Sequence, residues 1–332
     1  MDRNQQYRKF PTFDGIPDFT FTMKILVIDE FPLHFLEELR KFPAEVIYIP
    51  STTREEVLTL IPECEILIIN SKIRVDKEVA DFAPKLRMVI RAGVGMDHID
   101  EPYLQSRGVE VLNTKGGNAD SVGEQAVGML LVLQHKILNA DRQVRNFQWK
   151  REENRGTEIG GKTIGIIGFG NTGKAFSRKI SGFEPRLLAY DKYLKDYGDD
   201  RVKAVGMEEI FAQSDVVTLH IPLTEETRGW VNKDFFDRFA RPVVLLNLSR
   251  GPIVNLPDLL QALDSGKVLA AGIDVLENEK FDSLTEAQKL NYGNLFSRSN
   301  VVLTPHIGGW SFESRENINQ MILGFVNRLI SS

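Results

Sequence analysis

The sequence predicts an α/β protein made of two domains with parallel sheets. Three observations point there. At 332 residues the chain is longer than one hydrophobic core usually organises. Short, continuously apolar segments alternate with segments of helical spacing, first over residues 24–92 and again over 163–306. Strands that are apolar on both faces belong to parallel sheets covered by helices on either side. With 42% hydrophobic and 26% charged residues, the composition supplies ordinary globular cores.

Taken in order, the segment before Met23, "MDRNQQYRKFPTFDGIPDFTFT", has no period and carries two prolines. It is expected to be an extension that adds little to the core, with Met23 as the functional start; the alternative is an arm that packs on a partner. Strand "KILVIDE", helix "LHFLEELRKF", strand "EVIYI", helix "REEVLTLI", and strands "EILIIN" and "LRMVIRA" then form one α/β unit. Ser121-x-x-Glu124 reads as a capping box that opens one long helix over 122–147. Strand "TIGIIG", helix "NTGKAFSRKIS", strand "RLLAYD", helix "MEEIFAQ" and strand "DVVTLHI" resume the alternation. Strand "PVVLLNLS", helix "PDLLQALDS" and strands "LAAGIDV" and "NVVLTPH" complete it, and helical spacing runs from Ser311 to the end.

Charge and cysteine content exclude several classes. The net charge is −5 and no long basic block occurs, so neither nucleic acid nor an anionic membrane is an expected partner. The stretch from Arg142 to Arg155 interleaves bases with acids and reads as solvated or subunit-facing. The single cysteine, Cys64, has no internal partner and fits a reducing compartment. The apolar runs, such as "AVGMLLVL", are too short to span a bilayer, and the first residues lack a secretory core segment. A cytoplasmic location is expected, and no metal site.

"GIIGFGNTG" ends a strand and opens a helix, which gives Gly168-x-Gly170-x-x-Gly173 its meaning. The first glycine permits a tight turn and the second removes a Cβ where a pyrophosphate must touch the backbone. The third lets helix and strand pack closely, while the helix-start N–H groups, with Asn171 and Thr172 among the first residues, face the phosphates. Asp191 ends the next strand, about 20 residues on, where an acid accepts hydrogen bonds from the adenosine ribose. Its charge repels a 2′-phosphate, so NAD is favoured over NADP.

Four further residues sit at strand ends: His220, Arg250, Glu279 and His306. Hydride transfer between a carbinol and nicotinamide needs an acid/base, a partner that keeps it correctly protonated, and a cation for the substrate carboxylate. A histidine beside a carboxylate and an arginine that binds carboxylates bidentately are suited to those tasks. Arg250, Glu279 and His306 supply the set, although spacing alone leaves each also readable as a surface charge.

"GIIGFGNTG", "NLSRG", "GIDVLENE" and "LTPHIGG", in that order, together resemble the D-isomer-specific 2-hydroxyacid dehydrogenase family, closest to its short phosphoglycerate dehydrogenase-like members. "RAGVGMDHID" and "NTKGGNADSVGEQA" are similar to further segments of it. The resemblance covers the chain from about Met23 onward. It implies a Rossmann-like NAD domain, residues 121–304, inserted into a discontinuous, flavodoxin-like substrate domain of 23–120 and 305–332, with the active site in the cleft. It makes His306 the acid/base, Glu279 its partner and Arg250 the substrate clamp. Backbone N–H groups of Val94 and Gly95 would hold the substrate carboxylate, Asp274 would meet the nicotinamide carboxamide, and His220 and Pro222 would lie beside the cofactor without a catalytic role. A homodimer is expected through the region of 142–155.

There are departures. The family usually has proline after the catalytic glutamate, where this chain has Lys280 and a longer loop. Asn70 stands where phosphoglycerate-specific members often have arginine, and no regulatory domain is expected after the last helix. Lys72 and Arg74 fall just past a strand end and read either as solvated or, for Lys72, as the candidate for an anionic substrate tail such as that of 3-phosphohydroxypyruvate. The alternatives are a glyoxylate/hydroxypyruvate reductase and, in another class, a dinucleotide-sensing binding protein of the corepressor type. His34 and His135 read as helix-surface residues, and His98 as a packed one.

Overall fold

The computed structural model describes residues 23–331; the expectation for residues 1–22 lies outside them. The chain divides into two compact units. Among the described residues, one comprises 23–117 together with 315–331, and the other is Asn118–Ser314.

In the first unit, β1 (Lys24–Val27), β2 (Glu45–Tyr48), β3 (Ile66–Ile69), β4 (Met88–Arg91) and β5 (Glu110–Asn113) form one parallel sheet, ordered β2-β1-β3-β4-β5. Helices α1 (Leu33–Leu39), α2 (Arg54–Leu60), α3 (Lys77–Asp81) and α4 (Glu101–Ser106) cover it. Strand residues alternate between two cores, as a period of two requires. Leu26, Leu67 and Val89 join Val57, Val79 and Leu104 on one face. Ile25, Ile66 and Met88 join Phe35, Leu36 and Leu39 on the other. Cys64 is buried at the foot of β3, its thiol donating to the Leu60 carbonyl, and burial pushes that thiol up to about 12.

The second unit opens with α5 (Ala119–Gln134) and α6 (Ile137–Arg145). Then follow β6 (Thr163–Ile167), α7 (Asn171–Ile180), β7 (Arg186–Tyr190), β8 (Val202–Ala204), α8 (Met207–Gln213), β9 (Val216–Leu219) and α9 (Lys233–Asp237). It continues through β10 (Val243–Asn247), α10 (Leu256–Asp264), β11 (Val268–Ile273), α11 (Glu286–Phe296) and β12 (Val301–Leu303). Seven parallel strands are ordered β12-β11-β10-β9-β6-β7-β8, so strand order reverses between β6 and β9. The chain returns to the first unit through α12 (Phe312–Ile330), whose Ile318, Ile322 and Val326 complete a face of the five-stranded core. That four-residue spacing is one stripe of a helix.

The single helix expected over 122–147 is two. Lys136 adopts φ +52, a left-handed conformation that ends α5 and re-aims α6, while the Gln134 carbonyl accepts from Thr157 N–H. The expected capping box does not form. The helix begins earlier, at Ala119, and Ser121 Oγ donates instead to the Gly308 carbonyl at 2.7 Å while Glu124 pairs with Lys179. Residues 305–314, expected with the first domain, stay with the second unit because Asp274 holds Ile307 and Gly308. Strands β5 and β8 and the short helices α3, α4, α9 and α11 were not anticipated from periodicity. They are too brief, or in α11 too evenly polar around the helix, to show one.

Candidate active site

Strand β6 is buried throughout and ends at the point where the strand order reverses, the place where open α/β sheets bind ligands. Each glycine of the loop after it has its own reason. Gly168 has φ +91, and a Cβ there would sit 2.4 Å from the His220 carbonyl oxygen. At Gly173 a Cβ would lie 2.2 Å from the Gly168 carbonyl, so α7 can approach β6 only without one. Gly170, by contrast, faces open space. It is the N-cap of α7 and offers no side-chain cap, which leaves the first N–H groups, those of Asn171, Thr172 and Gly173, to an incoming acceptor. This cradle suits a pyrophosphate.

Asp191 follows β7 and closes the loop. Its Oδ2 accepts from Phe169 N–H at 2.8 Å, and its Oδ1 from Tyr193 and Leu194 N–H at 2.9 and 3.0 Å. Burial alone would raise this carboxyl, but the three donors hold it below the usual carboxylate range, so it stays charged beside the glycine loop. His220, after β9, is buried, with Nε2 3.0 Å from Thr218 Oγ1 and its ring on Phe176. Burial pushes its imidazole down to about 3. It is neutral and suits packing beside a cofactor. Pro222 continues this loop, its carbonyl accepting from Thr227 Oγ1.

The other three strands of this edge each end in a reactive side chain: Arg250 after β10, Glu279 after β11 and His306 after β12. His306 Nδ1 lies 2.9 Å from Glu279 Oε2. Burial would raise Glu279, yet the His306 hydrogen bond and charge, the Leu276 backbone and the charge of Arg250 hold it below its ordinary value. Arg250 donates from Nη1 to the Ser249 carbonyl. A Cβ on Gly251 would stand 2.0 Å from the Leu276 carbonyl, so the arginine and glutamate loops pack backbone to backbone.

Buried polar residues shape these loops; sequence reasoning passes over Asn247 and Ser249, whereas Asp274 is expected at the cofactor. Asn247, 1% exposed, accepts from Ser249 N–H and donates to the Arg250 carbonyl, and Ser249 Oγ donates to the Leu219 carbonyl. Asp274 is 2% exposed, and its carboxylate accepts from Thr304 Oγ1 and from the N–H groups of Ile307 and Gly308. His306 sits within this anchored turn at φ +56, its N–H shared between the Asp274 and Thr304 carbonyls. The only signal in the sequence was small polar residues directly after apolar strands, as in "NLSRG" and "LTPH".

Residues 127–308 match the model of the D-isomer specific 2-hydroxyacid dehydrogenase NAD binding domain, more than half of the chain. The chain is 34% identical to a hydroxypyruvate reductase of Thermotoga maritima over 265 residues, 80% of this chain and 84% of that protein. The chain belongs to the D-isomer specific 2-hydroxyacid dehydrogenases. It is also 35% identical to a D-3-phosphoglycerate dehydrogenase of Archaeoglobus fulgidus over 90% of its own length, but spans only 56% of that protein. The solved NAD-dependent formate dehydrogenase of Staphylococcus aureus, in complex with NAD, superposes with a TM-score of 0.76 at 26% identity, over 92% of this chain and 95% of the other.

The matched stretch of this family member contains the glycine loop, Asp191, Arg250, Asp274, Glu279 and His306, so the NAD-binding domain is present with its strand-end residues. Lys72, Val94 and Gly95 lie outside it, in the five-stranded unit. There the Val94 carbonyl accepts from Asn113 Nδ2 at 3.0 Å. No hydrogen bond among the described residues occupies the N–H groups of Val94 and Gly95. Lys72 is exposed and its Nζ donates to the Pro50 carbonyl. Among the described residues no helix is long and apolar enough to cross a membrane.

Proposed function

We propose that this protein interconverts a D-2-hydroxy acid and its 2-keto acid, using NAD. The observation that carries the reading is the 2.9 Å contact of His306 with Glu279, on the same sheet edge as the glycine loop. The α7 N-terminus, the loop Gly168–Gly173 and Asp191 would hold NAD, which when bound would supply or accept the hydride. His306, with Nδ1 committed to Glu279, has Nε2 left to give a proton to the carbonyl oxygen in reduction or take one from the hydroxyl in oxidation. Arg250 suits the substrate carboxylate, and in the five-stranded unit the N–H groups of Val94 and Gly95, unoccupied among the described residues, suit an anion. Asp274 would reach a carboxamide only through a carboxylate already engaged with the His306 turn.

We propose 3-phosphohydroxypyruvate as the first substrate to test, with Lys72 meeting its phosphate. A second reading, reduction of glyoxylate or hydroxypyruvate, is favoured by one observation: the Lys72 ammonium already donates to Pro50 O. The test is NADH oxidation with 3-phosphohydroxypyruvate, hydroxypyruvate, glyoxylate, pyruvate and branched 2-keto acids. A several-fold preference for the phosphorylated acid, lost in Lys72→Ala, supports the first reading. Faster glyoxylate or hydroxypyruvate reduction, indifferent to Lys72→Ala, supports the second. No turnover with any of them refutes both.

We also propose a homodimer. Helix α6 buries none of its residues, and Ile137, Leu138, Val144, Phe147 and Trp149 stand exposed on and just after it. So many large exposed apolar side chains on one short segment suit an interface. A cytoplasmic setting is part of the same proposal.

A further inference from the structure

We propose that Tyr292 is a positioning residue for the Glu279–His306 pair, its hydroxyl fixing the backbone one residue ahead of Glu279. The inference rests on the roles proposed above for those two residues. The chain between β11 and Glu279 is irregular, and no proline occurs between Pro257 and Pro305 to limit its conformations. The restraint comes from α11. Asn278 N–H donates to Tyr292 Oη at 2.9 Å, and Tyr292 Oη donates to the Asn278 carbonyl at 3.1 Å. One hydroxyl therefore satisfies both backbone polar groups of the residue before Glu279.

The tyrosine itself is well held. It is 2% exposed, with its ring 5.7 Å from that of Phe296 and 6.2 Å from that of Phe281. Helix α11 starts in a capping box of Thr285 and Gln288 and buries Leu295 fully. Burial raises the Tyr292 phenol above its ordinary value, so it stays neutral and can donate and accept at once. Beyond Glu279, Asn278 Oδ1 accepts from Lys280 N–H at 3.0 Å and Asn278 Nδ2 donates to Ser283 Oγ at 3.2 Å. Glu279 is thus bracketed. Its Cα is placed from both sides, which leaves its rotamer to be set by His306 and the Leu276 backbone. A tyrosine that served packing alone would need none of the bonds to Asn278.

The test compares Tyr292→Phe, which keeps the ring and loses the hydroxyl, with Phe296→Leu, which loosens the same helix and keeps it. Melting temperature, kcat and KM across pH, and the His306 imidazole resonances of the protein without substrate are measured for both. Tyr292→Phe removes both bonds to Asn278 and is expected to lower kcat by at least about tenfold, the scale of a single hydrogen bond. It should leave KM for NADH alone, displace the pH–rate profile in the direction of Glu279→Gln, and add nothing in that variant's background. Phe296→Leu is expected to lower the melting temperature without moving the profile or the resonances. Wild-type profile and resonances in Tyr292→Phe, or equal displacement by Phe296→Leu, would overturn the proposal. Should no 2-keto acid be turned over at all, the dehydrogenase reading fails, and the His306 resonances still decide the role of Tyr292.

Discussion

His306 reaches Glu279 from a left-handed backbone: at φ +56 its Nδ1 stands 2.9 Å from Glu279 Oε2. A non-glycine residue in that region costs about 1–3 kcal/mol unless its surroundings impose it, and such residues cluster at functional sites. Here the surroundings are the Asp274 carboxylate and carbonyl, which take the N–H groups of His306, Ile307 and Gly308.

The first prediction follows from that pair. Glu279 is held below its ordinary value, so it is anionic throughout the neutral range, 2.9 Å from His306 Nδ1. His306→Asn should lower turnover by about 10²–10⁴, the usual contribution of positioned proton transfer. Glu279→Gln should move the pH–rate profile of keto-acid reduction to lower pH, because the charge that supports the proton is gone. A steady-state profile superimposable on wild type would show that the contact does no chemical work.

Asp191 sets the second prediction. On the proposed reading, replacing it with serine or alanine would remove a charge that opposes a 2′-phosphate and an acceptor for the ribose hydroxyls. NADH efficiency should fall and the gap to NADPH should narrow. The same carboxylate also ties Phe169, Tyr193 and Leu194 together, so the melting temperature should drop as well. Equal use of NADH and NADPH by the unmodified protein would contradict this account.

His220 predicts an acid limb of stability. Its imidazole is lowered from 6.5 to about 3 in the fold, so between those values the unfolded chain binds a proton that the folded one does not. Stability from this residue is complete above 6.5 and is lost as pH falls towards 3, at no more than about 1.4 kcal/mol per pH unit. Denaturant midpoints measured through that window should fall less steeply for His220→Gln than for wild type. Parallel slopes would mean that the ring is hydrated and titrates normally.

The exposed face after α6 gives the fourth. Phe147 is fully exposed and Trp149 is 80% exposed. Changing both to glutamate should convert the protein to a monomer in light scattering while leaving the far-ultraviolet spectrum intact. A wild-type protein that is already monomeric at micromolar concentration would remove the premise.

The sequence by itself determined the fold class, the glycine loop and the strand-end residues. Continuously apolar strands bury both faces, and the glycines at 168 and 173 and the acid at 191 have local, spacing-bound reasons. Periodicity failed where local signals were outvoted. The run 122–147 keeps helical character throughout, yet Lys136 turns left-handed, and Ser121 and Glu124 have partners at Gly308 and Lys179 that no local pattern announces. Only the tertiary structure decided how the site is held. Asn247, Asp274, Thr304 and Tyr292 act on backbone that is distant from them in sequence or hidden in turns. The pairings of Asp274 with Thr304, Ile307 and Gly308 exist only once β11 and β12 lie side by side, because a buried donor or acceptor takes whichever partner packing brings to it.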